Sequence, residues 1–138
     1  MSTNELLKPY KDELTKSFWD MVVLDVFLMN LERTTSDFGY LISKDNVTTA
    51  PLFDNRTNFQ ACTVPLRKDN QAILRDDLLH SHRFREFDDA RQRILPVLES
   101  KMDDIHNIVY EQICLSESQK KMKFEQLCRT LHDLKSSL

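Results

Sequence analysis

Glycine is almost missing from this chain: Gly39 is the only one in 138 residues. A single residue without a Cβ cannot build a phosphate-cradling Gly-rich loop, which needs several such residues for close backbone approach. No Walker-type loop is present either. Proline is also scarce, with four residues, and this pairing disfavours turn-rich β-sandwiches and favours long helices joined by polar loops. Basic excess is missing as well. The net charge is −3 with 30% charged residues, which argues against nucleic acid as a partner. No run approaches the ~18 apolar residues of a membrane helix, and the start of the chain, MSTNELLKPYKDEL, has no apolar h-region. The expectation is a soluble protein of the cytoplasm that does not enter membranes. The three cysteines, Cys62, Cys114 and Cys128, are widely separated and lack a second Cys or His at metal-ligand spacing, so no zinc site is expected. Cys114 and Cys128 fall on apolar helical faces and read as buried free thiols.

What is there fits one domain, residues 1–138, mainly α with one small β-hairpin. Leu14, Phe18, Met21, Val22, Leu24, Val26, Phe27, Leu28 and Leu31 recur on a wide helical stripe and predict a buried helix over 12–31. Asp25 lies inside that stripe, where a carboxylate needs a partner to avoid a penalty of about 1 to 3 kcal/mol. Tyr40-Leu41-Ile42-Ser43 and Val47-Thr48-Thr49-Ala50-Pro51-Leu52 flank Lys44-Asp45-Asn46 and predict a hairpin. Residues 55–69 read as a loop and 69–79 as a short helix capped by Asp69 or Asn70. His80, His82, Arg83 and Arg85 form a basic segment suited to pairing with acids, because His80 and His82 are wrongly spaced to share a helical face. From Asp88 a helical pattern runs to Ile113, and Pro96 inside it predicts a kink or break, with Asp103 and Asp104 opening a separate helix. Ser116-Glu117-Ser118-Gln119 has the form of a capping box for a last helix through Leu134. The terminal helices therefore occupy about 86–136.

Between the first helix and the end of the hairpin stand two unusual frames. The first is Asn30-Leu31-Glu32-Arg33-Thr34-Thr35-Ser36-Asp37-Phe38-Gly39, and the second is Ala50-Pro51-Leu52-Phe53-Asp54-Asn55-Arg56. Together they resemble the HipA-like toxin serine/threonine kinases of toxin–antitoxin pairs. That family carries a loop reading roughly Asn-x-Asp-Arg-His-x-x-Asn-Phe-Gly, then a hairpin, then Ala-Pro-[Leu/Ile]-Phe-Asp-Asn-Gly. The resemblance covers about a quarter of the chain. It implies a kinase C-lobe-like helical domain, with a catalytic-loop-like segment at 30–39 and a metal-loop-like segment at 50–56.

By the same resemblance Glu32 stands at the base position, and Asp37 and Asp54 stand at the metal positions of phosphoryl transfer. Asp25 would brace the loop, with Asn30, Arg33, Gly39, Asn55 and Arg56 in supporting places. Gly39 fits a site of positive φ or crowded packing. Four positions depart from the family: Glu32 replaces an Asp, Thr34 a His, Asp37 an Asn and Arg56 a Gly. Glu carries its carboxylate roughly 1 Å further than Asp, a displacement that can cost about 100-fold in rate. Three carboxylates brought close raise each other's proton affinity unless a cation compensates, and Arg56 or Arg33 could be that cation. Fewer than thirty residues precede the loop-like segment, too few for a nucleotide lobe. The chain thus reads as a kinase C-lobe fragment or pseudokinase, inactive alone, that binds a protein partner or takes a nucleotide lobe, with Mg²⁺ and ATP, from another chain. The alternative is a helical scaffold or inhibitor that binds a partner, or its own copy, through the C-terminal helices.

Overall fold

The first long helix, α1, runs over Lys11–Leu28 of a computed structural model that describes residues 5, 7–29, 39–44, 46–50, 63–65 and 72–138. A 3-10 turn at Lys8–Tyr10, with Pro9 in it, leads into the helix. Asp12 and Glu13 in the first turn complement the helix dipole. Further on, apolar side chains cover the helix on every side: Met21, Val22, Val23, Val26 and Phe27 are all buried. A helix apolar all round has to be enclosed, and the two long helices of the C-terminal half pack against it. It stops three residues earlier than the apolar stripe predicts, because Met29 turns left-handed at φ 54 and ψ 43.

Strands β1 (Tyr40–Ile42) and β2 (Val47–Thr49) form the expected antiparallel hairpin, pairing Tyr40 with Thr49 and Ile42 with Val47. At its turn Ser43 donates its amide to the Asn46 carbonyl at 2.8 Å, and the Asn46 side chain accepts from the Val47 amide. Val47 is buried, whereas Leu41 and Ile42 are exposed. A second antiparallel pair follows, β3 (Thr63–Pro65) with β4 (Ala72–Leu74), and then a short helix α2 (Arg75–His80). Here the sequence reading is corrected twice. Residues 63–65 are a strand rather than part of a loop, and the helix expected from Asp69 begins only at Arg75. Ala72, Ile73 and Leu74 are a three-residue apolar run, too short for periodicity to separate strand from helix.

Helix α3 spans Arg85–Tyr110 without interruption. Pro96 lies inside it, so no new helix opens at Asp103 and Asp104. Pro96 is exposed, and so is Gln92, whose carbonyl loses its helical donor to the ring. The buried side chains of Leu95 and Leu98 pack the helix on both sides of the proline. Helix α4 (Glu117–Ser136) begins as the sequence predicts. The Ser116 hydroxyl accepts from the Gln119 amide at 3.2 Å, and the Gln119 side chain accepts from the Ser116 amide at 2.8 Å.

The core joins Val22, Val23, Val26 and Phe27 of α1 to Leu78 and Leu79 of α2, Phe87, Ala90, Leu95 and Leu98 of α3, and Leu127 and Leu134 of α4. Ion pairs tie its rim, Arg93 to Asp20 at 2.8 Å and Lys135 to Glu99 at 3.2 Å. Among the described residues no helix is long and apolar enough to cross a membrane. Both described cysteines are exposed, against the expectation of buried thiols. Cys114 lies beyond the end of α3, and Cys128 sits about 100° around α4 from Leu127, off the buried line of Leu127, Thr130 and Leu134.

Candidate functional site

The end of α1 is where the first sequence frame begins. Its last carbonyls need donors from outside the helix. The Met29 amide serves Asp25 and Val26. The Phe27 carbonyl is served from the far end of the chain, by the Thr130 hydroxyl of α4 at 2.8 Å. Thr130 is 4% exposed, so this bond is made away from water. Asp25 is 1% exposed and is not left unpaired, as a buried carboxylate requires.

The hairpin joins the two frames. Gly39, the last residue of the first, accepts at its carbonyl from the amide of Ala50, the first residue of the second, at 2.9 Å. This bond continues the β1–β2 ladder by one pair, so both frames meet at the same end of the hairpin. Gly39 itself corrects an expectation. No glycine has positive φ, and a Cβ at Gly39 would meet nothing within 4 Å among the described residues. Left-handed backbone is found instead at Met29 and His82.

Of the residues singled out in the sequence, Asp25 and Gly39 are thus located. Asn30, Glu32, Arg33, Asp37, Asp54, Asn55 and Arg56 lie outside the described residues. Among the described residues no group of three His, Cys, Asp or Glu is placed to hold a metal ion. A cavity of about 510 Å³ opens beside Met29, lined on the α4 side by Cys128, Arg129, Thr130, His132 and Asp133.

Two residues that sequence reasoning passed over hold this region in place. One is Thr130, a polar position on the line of Leu127, Leu131 and Leu134. The other is Arg91, fully buried on α3. Its guanidinium donates to Asp88, to the Ser137 hydroxyl and, at 3.4 to 3.5 Å, to the carbonyls of Leu79, Leu134 and Ser137. These carbonyls belong to the ends of α2 and α4, where a cation also meets the negative pole of each helix. Asp88 is further held by His82 at 3.1 Å, and Arg83 pairs with Asp77 at 3.7 Å, so the basic segment pairs with acids as its sequence suggests.

The described fold is a buried helix, a hairpin and two long helices packed on the first. The chain superimposes on the crystal structure of the Helicobacter pylori proinflammatory kinase CtkA with a TM-score of 0.74 at 20% sequence identity, over 91% of this chain and 54% of that one. It therefore spans about half the length of that kinase. No family model and no curated protein matches the chain.

Proposed function

We propose that this chain is a HipA-like kinase C-lobe that is catalytically silent alone, and that it acts as a protein-binding module or is completed by a nucleotide lobe on another chain. The observation that carries the reading is the Gly39–Ala50 bond, which joins the two kinase-like frames at one hairpin end in a fold similar to that of a kinase. The likeness to CtkA supports a kinase-like fold. In this reading Glu32 holds the base position, and Asp37 and Asp54 hold the metal positions. Arg56, in place of a family glycine, or Arg33 supplies an internal cation that offsets their charge. Mg²⁺ and ATP would come into play with the nucleotide lobe, Mg²⁺ neutralising the transferred phosphate.

The test is incorporation of labelled phosphate from ATP into the purified chain and into a generic protein substrate. None is expected, because nothing in the sequence supplies a Gly-rich loop to position the phosphates. Incorporation that disappears in Glu32→Ala would overturn the silent reading and leave the kinase reading in place.

A second reading, a helical scaffold that binds through its terminal helices, is favoured by Ile108, Ile113 and Met122. These three, at the end of α3, in the turn and in early α4, are 59%, 97% and 53% exposed. Self-association lost in Ile113→Asp would support it.

A further inference from the structure

We propose that the groove between the first halves of α1 and α3 receives an arginine side chain of a partner protein, with Trp19 as its stacking face and Asp12, Glu86 and Asp89 as its acceptors. The inference deepens the protein-binding reading and rests on it for the nature of the ligand, but the groove stands apart from the kinase-like frames. Trp19 lies roughly 15 Å along the axis of α1 from Met29, where the first frame is about to begin. The cavity has a volume of about 160 Å³ and is lined by Asp12, Lys16 and Trp19 of α1 and by Glu86, Asp89 and Arg93 of α3, all of them described residues. Pockets for small molecules and cofactors run to about 300–1,000 Å³. This one is the size for a side chain.

Its charge selects the sign of that side chain. Arg93 is already engaged, with Asp20 at 2.8 Å. Asp12, Glu86 and Asp89 are exposed and make no ion pair among the described residues, and only the exposed Lys16 stands against them. The groove is therefore left with an excess of negative charge beside an aromatic ring. Trp19 is held by Phe18, edge-on at 5.3 Å, and by Phe84 at 6.1 Å, so the wall is in place before a ligand arrives and little ordering is required on binding. Phe84, the ring next to Trp19, already carries a guanidinium, that of Arg83 at 4.8 Å from its centre. Cations are drawn to the face of a ring, and most strongly to tryptophan. Between the two basic side chains the groove favours arginine, whose planar fork stacks on a ring while it pairs with carboxylates; an ammonium is a compact and strongly hydrated charge.

Trp19 is the only tryptophan of the chain, so the full chain gives one indole N–H signal in NMR, and that signal reports on the groove. Capped peptides of three arginines or three lysines, spaced by glycine, serve as probes at low salt, where exposed charges are least screened. The arginine peptide should shift the Trp19 signal saturably, and the lysine peptide should bind about fivefold more weakly. Glu86→Gln combined with Asp89→Asn changes two exposed side chains and should weaken the arginine peptide about fivefold or more. A Trp19 signal that ignores the arginine peptide, that responds equally to lysine, or that responds equally in the double variant would overturn the proposal. The silent-lobe reading is decided separately, by phosphate incorporation, so the failure of one leaves the other standing.

Discussion

Arg91 is the residue on which the fold has most to lose. Its side chain is fully buried while its partner Asp88 is 19% exposed, and it lies 5.4 Å from the Phe87 ring centre. Its Nε is left without a partner, so the site is held by the two terminal nitrogens. Truncating one member of a buried ion pair strands the other and typically costs about 3–5 kcal/mol. Here the carbonyls of Leu134 and Ser137 lose their donor too. Arg91→Ala is therefore expected to lower the unfolding free energy measured by urea denaturation by an amount in that range. Arg91→Lys should recover only part of it, because an ammonium cannot reach several acceptors as a planar fork does. A full recovery by lysine would mean that charge alone matters at this position. Nothing local in the sequence marks Arg91 as buried. It follows Ala90 on an amphipathic helix with arginines on both faces, and only the return of α4 forty residues later encloses it.

Among the elements, those set by neighbours in sequence are legible and those set by distant contacts are not. The capping box at Ser116 and Gln119, the hairpin around Lys44 to Asn46 and the apolar wrap of α1 all rest on short-range patterns. By contrast the β3–β4 pair joins partners up to eleven residues apart, Thr63 with Leu74, and the apolar run 72–74 fits strand and helix equally well. Helix α3 shows the opposite error. Pro96 argues locally for a break, but Leu95 and Leu98 on the buried face hold the helix together across it, while the proline itself lies on the exposed face. Pro96→Ala restores the hydrogen bond to the Gln92 carbonyl and should stabilise the protein, by up to about 3 kcal/mol from helix propensity. Destabilisation on calorimetric melting would show that the packing of α3 needs the bend. Ser116→Ala should cost about 1 kcal/mol, and a change near zero would mean that water replaces the cap.

For the molecule as a whole, α1 is the axis, and both the hairpin and the chain's last helix are referred to it. The helical class with a hairpin was readable from composition and period, because one glycine and long apolar stripes leave few other folds. The order of helix, frame, hairpin, frame was readable too, since the motif residues are contiguous. The fastening of α1 by Thr130 was not, as it joins residues 103 positions apart. Nor did the sequence separate Gly39 the strained turn from Gly39 the ordinary strand neighbour, for the single glycine of a chain invites a steric reason that neither its φ nor its surroundings among the described residues require.

The charge balance proposed for Glu32, Asp37 and Asp54 is the point on which the silent-lobe reading turns, and thermal melting of wild type and Arg56→Ala with and without Mg²⁺ or Mn²⁺ tests it most directly. A cation that binds only the native state raises its melting temperature by mass action. With Arg56 as the internal cation, wild type should not respond to either metal, and Arg56→Ala should melt earlier and gain a metal-dependent rise. A rise in wild type of the same size as in Arg56→Ala, or no response and no loss of stability in the variant, would contradict it.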